Sequence, residues 1–229
     1  MQNRNPRLSV RYPCFALLCV FSLLICLPSF AQGPNPSVAF TCDFPGSDPS
    51  HYAVSVTRDG HGSYISDGKL TKDSDSDEPF RMDFTVSQLT VSHVFDLARS
   101  ANYFQGNIES KKKNIASTGS KALIYKDGQR NTMGSYDYST VPAVQEITRL
   151  FQNMSTTLEF GRRLEYDYRY QKLALDEELK RMEDVSKEGG LVELSAVAPI
   201  LQKISDDQSV INGVRARAQR MLQTAGAAK

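Results

Sequence analysis

The apolar residues of this chain change their period at about residue 140, and that change decides what the chain can fold into. Ahead of it, Val38, Phe40, Cys42 and Phe44 alternate with smaller or polar neighbours, as do Tyr52, Val54 and Val56, and then Phe80, Met82, Phe84 and Val86. A period of two places each set on one face of a half-buried strand. Beyond residue 140, Val144, Ile147, Phe151, Met154, Leu158, Gly161, Leu164 and Tyr168 step by three and four, which is the seam of one long helix. The expected fold class is α+β: an antiparallel sheet of about six strands with one inserted helix, packed on a long helix and followed by a helical tail.

Local signals refine this. Strands are expected over 37–44, 51–57, 63–66, 80–86, 113–117, 121–126 and 132–138, with hairpin turns at Asp59-Gly60 and Asp127-Gly128. Val91, Val94, Phe95 and Ala98 predict the inserted helix over 91–103, capped by Ser87 or Thr90. The long helix is expected to start from Thr140 with Pro142 in its first turn and to end near Gln171. Asp176 would cap the next helix, closed by Gly189-Gly190, and helices over 194–205 and 210–224 complete the chain. The domain boundaries expected are therefore a strand-rich region, 32–139, and a helical region, 140–229.

The first 31 residues have a different character. Arg4, Arg7 and Arg11 precede an apolar run from Phe15 to Leu27, and Ser29-Phe30-Ala31 supplies the small residues of a cleavage site. That is the pattern of a secretory signal peptide over 1–31, with the mature chain starting at Gln32. The run is shorter than the roughly 20 apolar residues of a membrane span. Leu18 and Ile25, rather than small residues, precede Cys19 and Cys26, which argues against a lipid anchor. No later apolar stretch reaches spanning length, so the expected product is a soluble secreted or periplasmic protein.

Without the three leader arginines, 24 of the 27 basic side chains face 26 acidic ones, a net charge of −2. A nucleic-acid surface needs a clustered basic excess, so nucleic acid is not an expected partner. Cys42 is the one cysteine outside the leader and has no internal partner for a disulfide.

The mature chain holds no Gly-x-Ser-x-Gly elbow, no paired Cys-x-x-Cys and no cofactor signature. Asp73, Asp75 and Asp77 alternate as in the front half of a calcium loop, but Glu78-Pro79 stand where that loop needs its glycine. His51 and His61 flank a hairpin and are the candidates for a metal site or an acid/base pair. The run from Arg162 to Tyr170 is the most unusual composition: Arg162, Tyr166, Arg169 and Tyr170 fall within one helical stretch and belong to residue types that dominate protein interfaces. In the tail, Ala198-Pro199-Ile200-Leu201-Gln202-Lys203-Ile204, continued by Val214-Arg215-Ala216-Arg217-Ala218 and Leu222, resembles one HEAT-type helical hairpin. One such unit implies a hairpin packed on the remainder, because repeats of this kind are stable only in stacks. The expected function is an exported, non-catalytic interaction or accessory module whose partner is another exported or envelope protein. The rival is a small secreted hydrolase or metal-dependent enzyme at the His51/His61 loops.

Overall fold

The computed structural model describes residues 35–70, 78–110 and 116–227, with residue 2 in isolation. Six strands form one sheet: β1 (Ser37–Asp43), β2 (His51–Thr57), β3 (His61–Gly68), β4 (Glu78–Thr85), β5 (Ser120–Lys126) and β6 (Asn131–Tyr136). Their order is β4-β3-β2-β1-β5-β6, and every neighbouring pair is antiparallel. Gly60 and Gly128 lie at φ of 90° and 84°, a region closed to most side chains, and they make the β2–β3 and β5–β6 turns tight.

Alternation along the strands sends Val38, Phe40, Val54, Val56, Tyr64 and Leu123 to one face, where all are fully buried. Two helices cover that face: α1 (Gln88–Ser100), through Val91, Val94 and Phe95, and the first half of α2 (Pro142–Tyr170), through Val144, Ile147, Phe151 and Met154. Phe151 stacks on Phe40 at 5.7 Å between ring centroids. The chain is therefore α+β, with its sheet in the N-terminal half and its helices after it.

The second half of α2 belongs to another core. Leu164 packs there with Leu175, Leu179 and Met182 of α3 (Leu175–Lys187), with Leu201 and Ile204 of α4 (Ala198–Asp206) and with Ala218 of α5 (Asn212–Ala227). Helices α4 and α5 lie against each other as a hairpin. Among the described residues no helix is long and apolar enough to cross a membrane.

Several boundaries depart from the sequence reading, each for a local reason. Ser87 caps α1, its Oγ accepting from the Thr90 N–H at 3.3 Å, so the helix opens at Gln88. It stops at Ser100 because Asn102, Tyr103 and Phe104 hold φ of 51°, 53° and 62°, a left-handed turn that no helix continues through. Val141, not Thr140, is the N-cap of α2, with Pro142 as the first helical residue. Asp176 sits inside the first turn of α3 with Glu177 and Glu178, where carboxylates complement the helix dipole. The expected 194–205 helix is broken into a 3-10 turn at Leu194–Val197 followed by α4. Residues 116 and 117 lie in no strand, and the rest of the expected 113–117 strand falls outside the described residues.

Gly161 is where the two halves of the helical layer approach most closely. A Cβ placed on it would lie 2.4 Å from Val197 Cγ1, well inside van der Waals contact. Gly161→Ala gains about 1 kcal/mol of helix propensity but forces an overpacking cost of about 1–3 kcal/mol. We expect a net loss of about 1 kcal/mol in urea unfolding, turning to a gain when Gly161→Ala is instead made in, and compared with, a Val197→Ala background. A Gly161→Ala protein more stable than the parent would show that this contact is loose.

Candidate interaction surface

The two histidines do not meet. His51 opens β2 and pairs in register with Asp67, whereas His61 opens β3, six residues away along that strand, so the side chains stand about 20 Å apart. His51 lies 2.5 Å from Asp43 at one end of the sheet, and His61 lies 3.7 Å from Asp83 at the other. Both face solvent. Asp73, Asp75 and Asp77 lie outside the described residues, and among the described ones no cluster of metal-ligating side chains forms. His93, on α1, pairs with Glu146 of α2 at 3.0 Å.

The Arg162–Tyr170 run divides between inside and outside. Tyr166 and Tyr170, one turn apart, bring their rings to 5.1 Å, and Arg169 reaches Glu165 at 3.3 Å. Tyr170 is 70% exposed, Leu173 after it 84% and Ile211 of the neighbouring corner 61%. These are large apolar surfaces left in water where a helix ends. The corner is rigidly tied: Tyr168 Oη donates to Asp207 at 3.1 Å, and Lys172 Nζ donates to Asp207 and to Ser209 Oγ, each at 2.7 Å. The hydrogen bond from Lys172, reinforced by that from Ser209, holds the Asp207 carboxyl far below the usual range. Beside the tyrosines a shallow cleft of about 250 Å³ is lined by Leu70, Pro79, Phe80, Arg162, Glu165 and Tyr170.

Arg162 forms only the floor of that cleft: its side chain is 4% exposed and runs beneath Phe80, the guanidinium 5.2 Å from the ring centre. Nη2 donates to Gly68 O at 2.9 Å, and Nη1 lies 3.5 Å from Glu159 Oε2. Glu159 Oε1 accepts from Tyr64 Oη at 2.9 Å and from Ser66 Oγ at 2.5 Å. The pair thus pins α2 to β3 from inside. Gly68 is needed where it lies, since a Cβ there would sit 2.9 Å from Arg162 Nη1.

Three further buried charged side chains, Lys121, Asp167 and Glu178, escaped the sequence reading. Lys121, opposite Cys42 in the sheet, is 4% exposed and donates to Thr118 O, Gly119 O and Asp137 O at 2.8–2.9 Å. Burial lowers its amine and raises the Cys42 thiol. Asp167 is buried next to Glu178, which Arg163 and Arg181 already bind at 2.6 and 3.3 Å. Burial, and then the Glu178 charge, push the Asp167 carboxyl up to about 6.

No family model matches this chain, and no curated protein matches it either.

Proposed function

We propose that this is an exported, non-catalytic interaction module that binds another exported or envelope protein through the corner where α2 ends. One observation carries the reading: Tyr170, Leu173 and Ile211 expose most of their apolar surface on a frame fixed by the Asp207 hydrogen bonds. Pre-ordered aromatic surface of this kind binds with little entropy left to lose. The leader pattern of residues 1–31 supports export, and the separation of His51 from His61 gives the enzyme reading no assembled site.

The test is a selection of displayed peptides on the mature protein, with affinities measured against a Tyr170→Ser/Leu173→Ser variant. Binding should weaken at least about tenfold in the variant, while unfolding stability moves by no more than about 0.5 kcal/mol, because neither side chain is buried. Ligands that bind both proteins equally would place the interaction elsewhere.

A further inference from the structure

The sheet ends in two edge strands, β6 and β4. On β6, Thr132 Oγ1 donates to Tyr103 O at 2.5 Å, and past its end Asp137 N–H donates to Glu109 Oε2 at 2.6 Å and Ser110 N–H donates to Tyr138 O at 2.7 Å. Ile108 packs against Gly134 so closely that a Cβ there would lie 2.6 Å from it. The left-handed turn at Asn102–Phe104 thus folds its segment over the buried face of β5 and β6, where Tyr103 meets Tyr125 at 4.7 Å, and over the end of β6.

At the other edge, no described residue pairs with the outer side of β4. Val86 N–H donates to Gly60 O at 2.9 Å, and these residues are opposite one another in the β3–β4 register. Alternation from that bond assigns the inward-bonding positions to Phe84, Met82 and Phe80. The backbone N–H and C=O groups of Arg81, Asp83 and Thr85 therefore point outward, away from β3. Among the described residues no backbone group bonds to them. Pro79, which has no N–H to offer, falls on the same outward phase and ends the available ladder.

Edges left open in monomers are usually guarded by charge. The charges here are not a guard of one sign. The sequence Phe80-Arg81-Met82-Asp83-Phe84 reads as a palindrome about Met82, with Arg81 and Asp83 as opposite charges at mirrored positions. Arg81 and Asp83 are exposed on the open face of the sheet. On the other side, Phe80 and Met82 are half-buried along an apolar groove of about 260 Å³ that Val197 and Ile200 complete.

We propose that β4 is a self-association edge that pairs antiparallel with β4 of a second copy of this chain, about a two-fold axis through Met82. In that register Arg81 of each copy faces Asp83 of the other. Each such pair exchanges both of its outward backbone hydrogen bonds and sets opposite charges directly across the strands. Met82 meets its own copy on the axis, and Phe80 lies opposite Phe84, so the half-buried apolar row is covered at the same time. The contact is isologous and closes after two copies, because each copy uses the same edge of the other. It goes beyond the α2-end surface and does not depend on it.

The decisive experiment is sedimentation velocity on the mature protein across a wide concentration series, with charge-reversal variants. Wild type should form a dimer. Arg81→Asp and Asp83→Arg should each weaken it at least about tenfold, since each sets two like-charge pairs across the axis. The double swap, R81D with D83R, restores opposite charges in the same register and should recover the dimer. Hydrogen exchange on wild type supplies a reading independent of any variant: the Arg81 and Asp83 amides should slow as concentration rises. A wild-type monomer throughout, a dimer indifferent to the single reversals, or amides at 81 and 83 that exchange alike at all concentrations would overturn the proposal. None of these outcomes bears on peptide binding at Tyr170 and Leu173, which is measured separately.

Discussion

Glu159→Ala should cost about 3–5 kcal/mol of folding stability, the largest loss expected from any single change considered for this protein. The alanine removes the counter-charge of Arg162, whose side chain is only 4% exposed. It also takes the shared acceptor from Tyr64 and Ser66, both fully buried. A buried donor without an acceptor loses its hydration and gains nothing in return. The magnitude reflects the stranded partner rather than the worth of the pair, and a second variant separates the two. Glu159→Met combined with Arg162→Met removes both charges and fills their space with apolar atoms, so it should recover all but about 1–2 kcal/mol. Glu159→Gln keeps an acceptor for the hydroxyls and should fall between. Urea unfolding monitored by circular dichroism measures all three. A Glu159→Ala protein within about 1 kcal/mol of wild type would mean that water reaches Arg162 and that the pin between α2 and β3 is not tight.

The sheet and the long helix were legible because their apolar patterns are long and regular. Val38 to Phe44 and Phe80 to Val86 alternate without interruption, and the α2 seam runs for several turns. Patterns of polarity say which side of an element faces inward, and they say it only for apolar side chains. Arg162 defeated that logic. By composition it belongs with Tyr166, Arg169 and Tyr170, yet it enters the interior because a carboxylate at Glu159 and a carbonyl at Gly68 await it. The sequence offered only Glu159 and Arg162 three apart on a helix, a spacing that solvated surface pairs share. The left-handed turn at Asn102–Phe104 had no such signal, since three non-glycine residues in that conformation contradict local preference and are held by tertiary packing. For the surface at the end of α2, the tyrosines were visible in the sequence. Leu173 and Ile211 were not, because an exposed apolar residue looks like a core residue until its surroundings are known.

Replacing Asp167 by Asn should make the protein more stable at neutral pH and leave it nearly unchanged in mild acid. In the folded chain the Asp167 carboxyl sits at about 6 against an ordinary value of 3.8, first because it is buried and second because Glu178 stands beside it. Arg163 and Arg181 oppose the shift, but both are committed to Glu178. Between the two values the folded state binds more protons than the unfolded state, so stability falls as pH rises through this window. The contribution of the protonated carboxyl is complete below about 4 and lost above about 6. A shift of this size corresponds to about 2–3 kcal/mol. Asparagine has the same shape and no charge to lose. The stability difference between Asp167→Asn and wild type should therefore grow by roughly that amount from pH 4 to pH 8. Titrating groups away from Asp167 and Glu178 are common to the two proteins and cancel in the difference. Chemical denaturation at closely spaced pH values reads the curve directly. Parallel profiles for the two proteins would show that Asp167 ionises as freely in the folded chain as in the unfolded one, and that Arg163 or Arg181 turns toward it instead of remaining with Glu178.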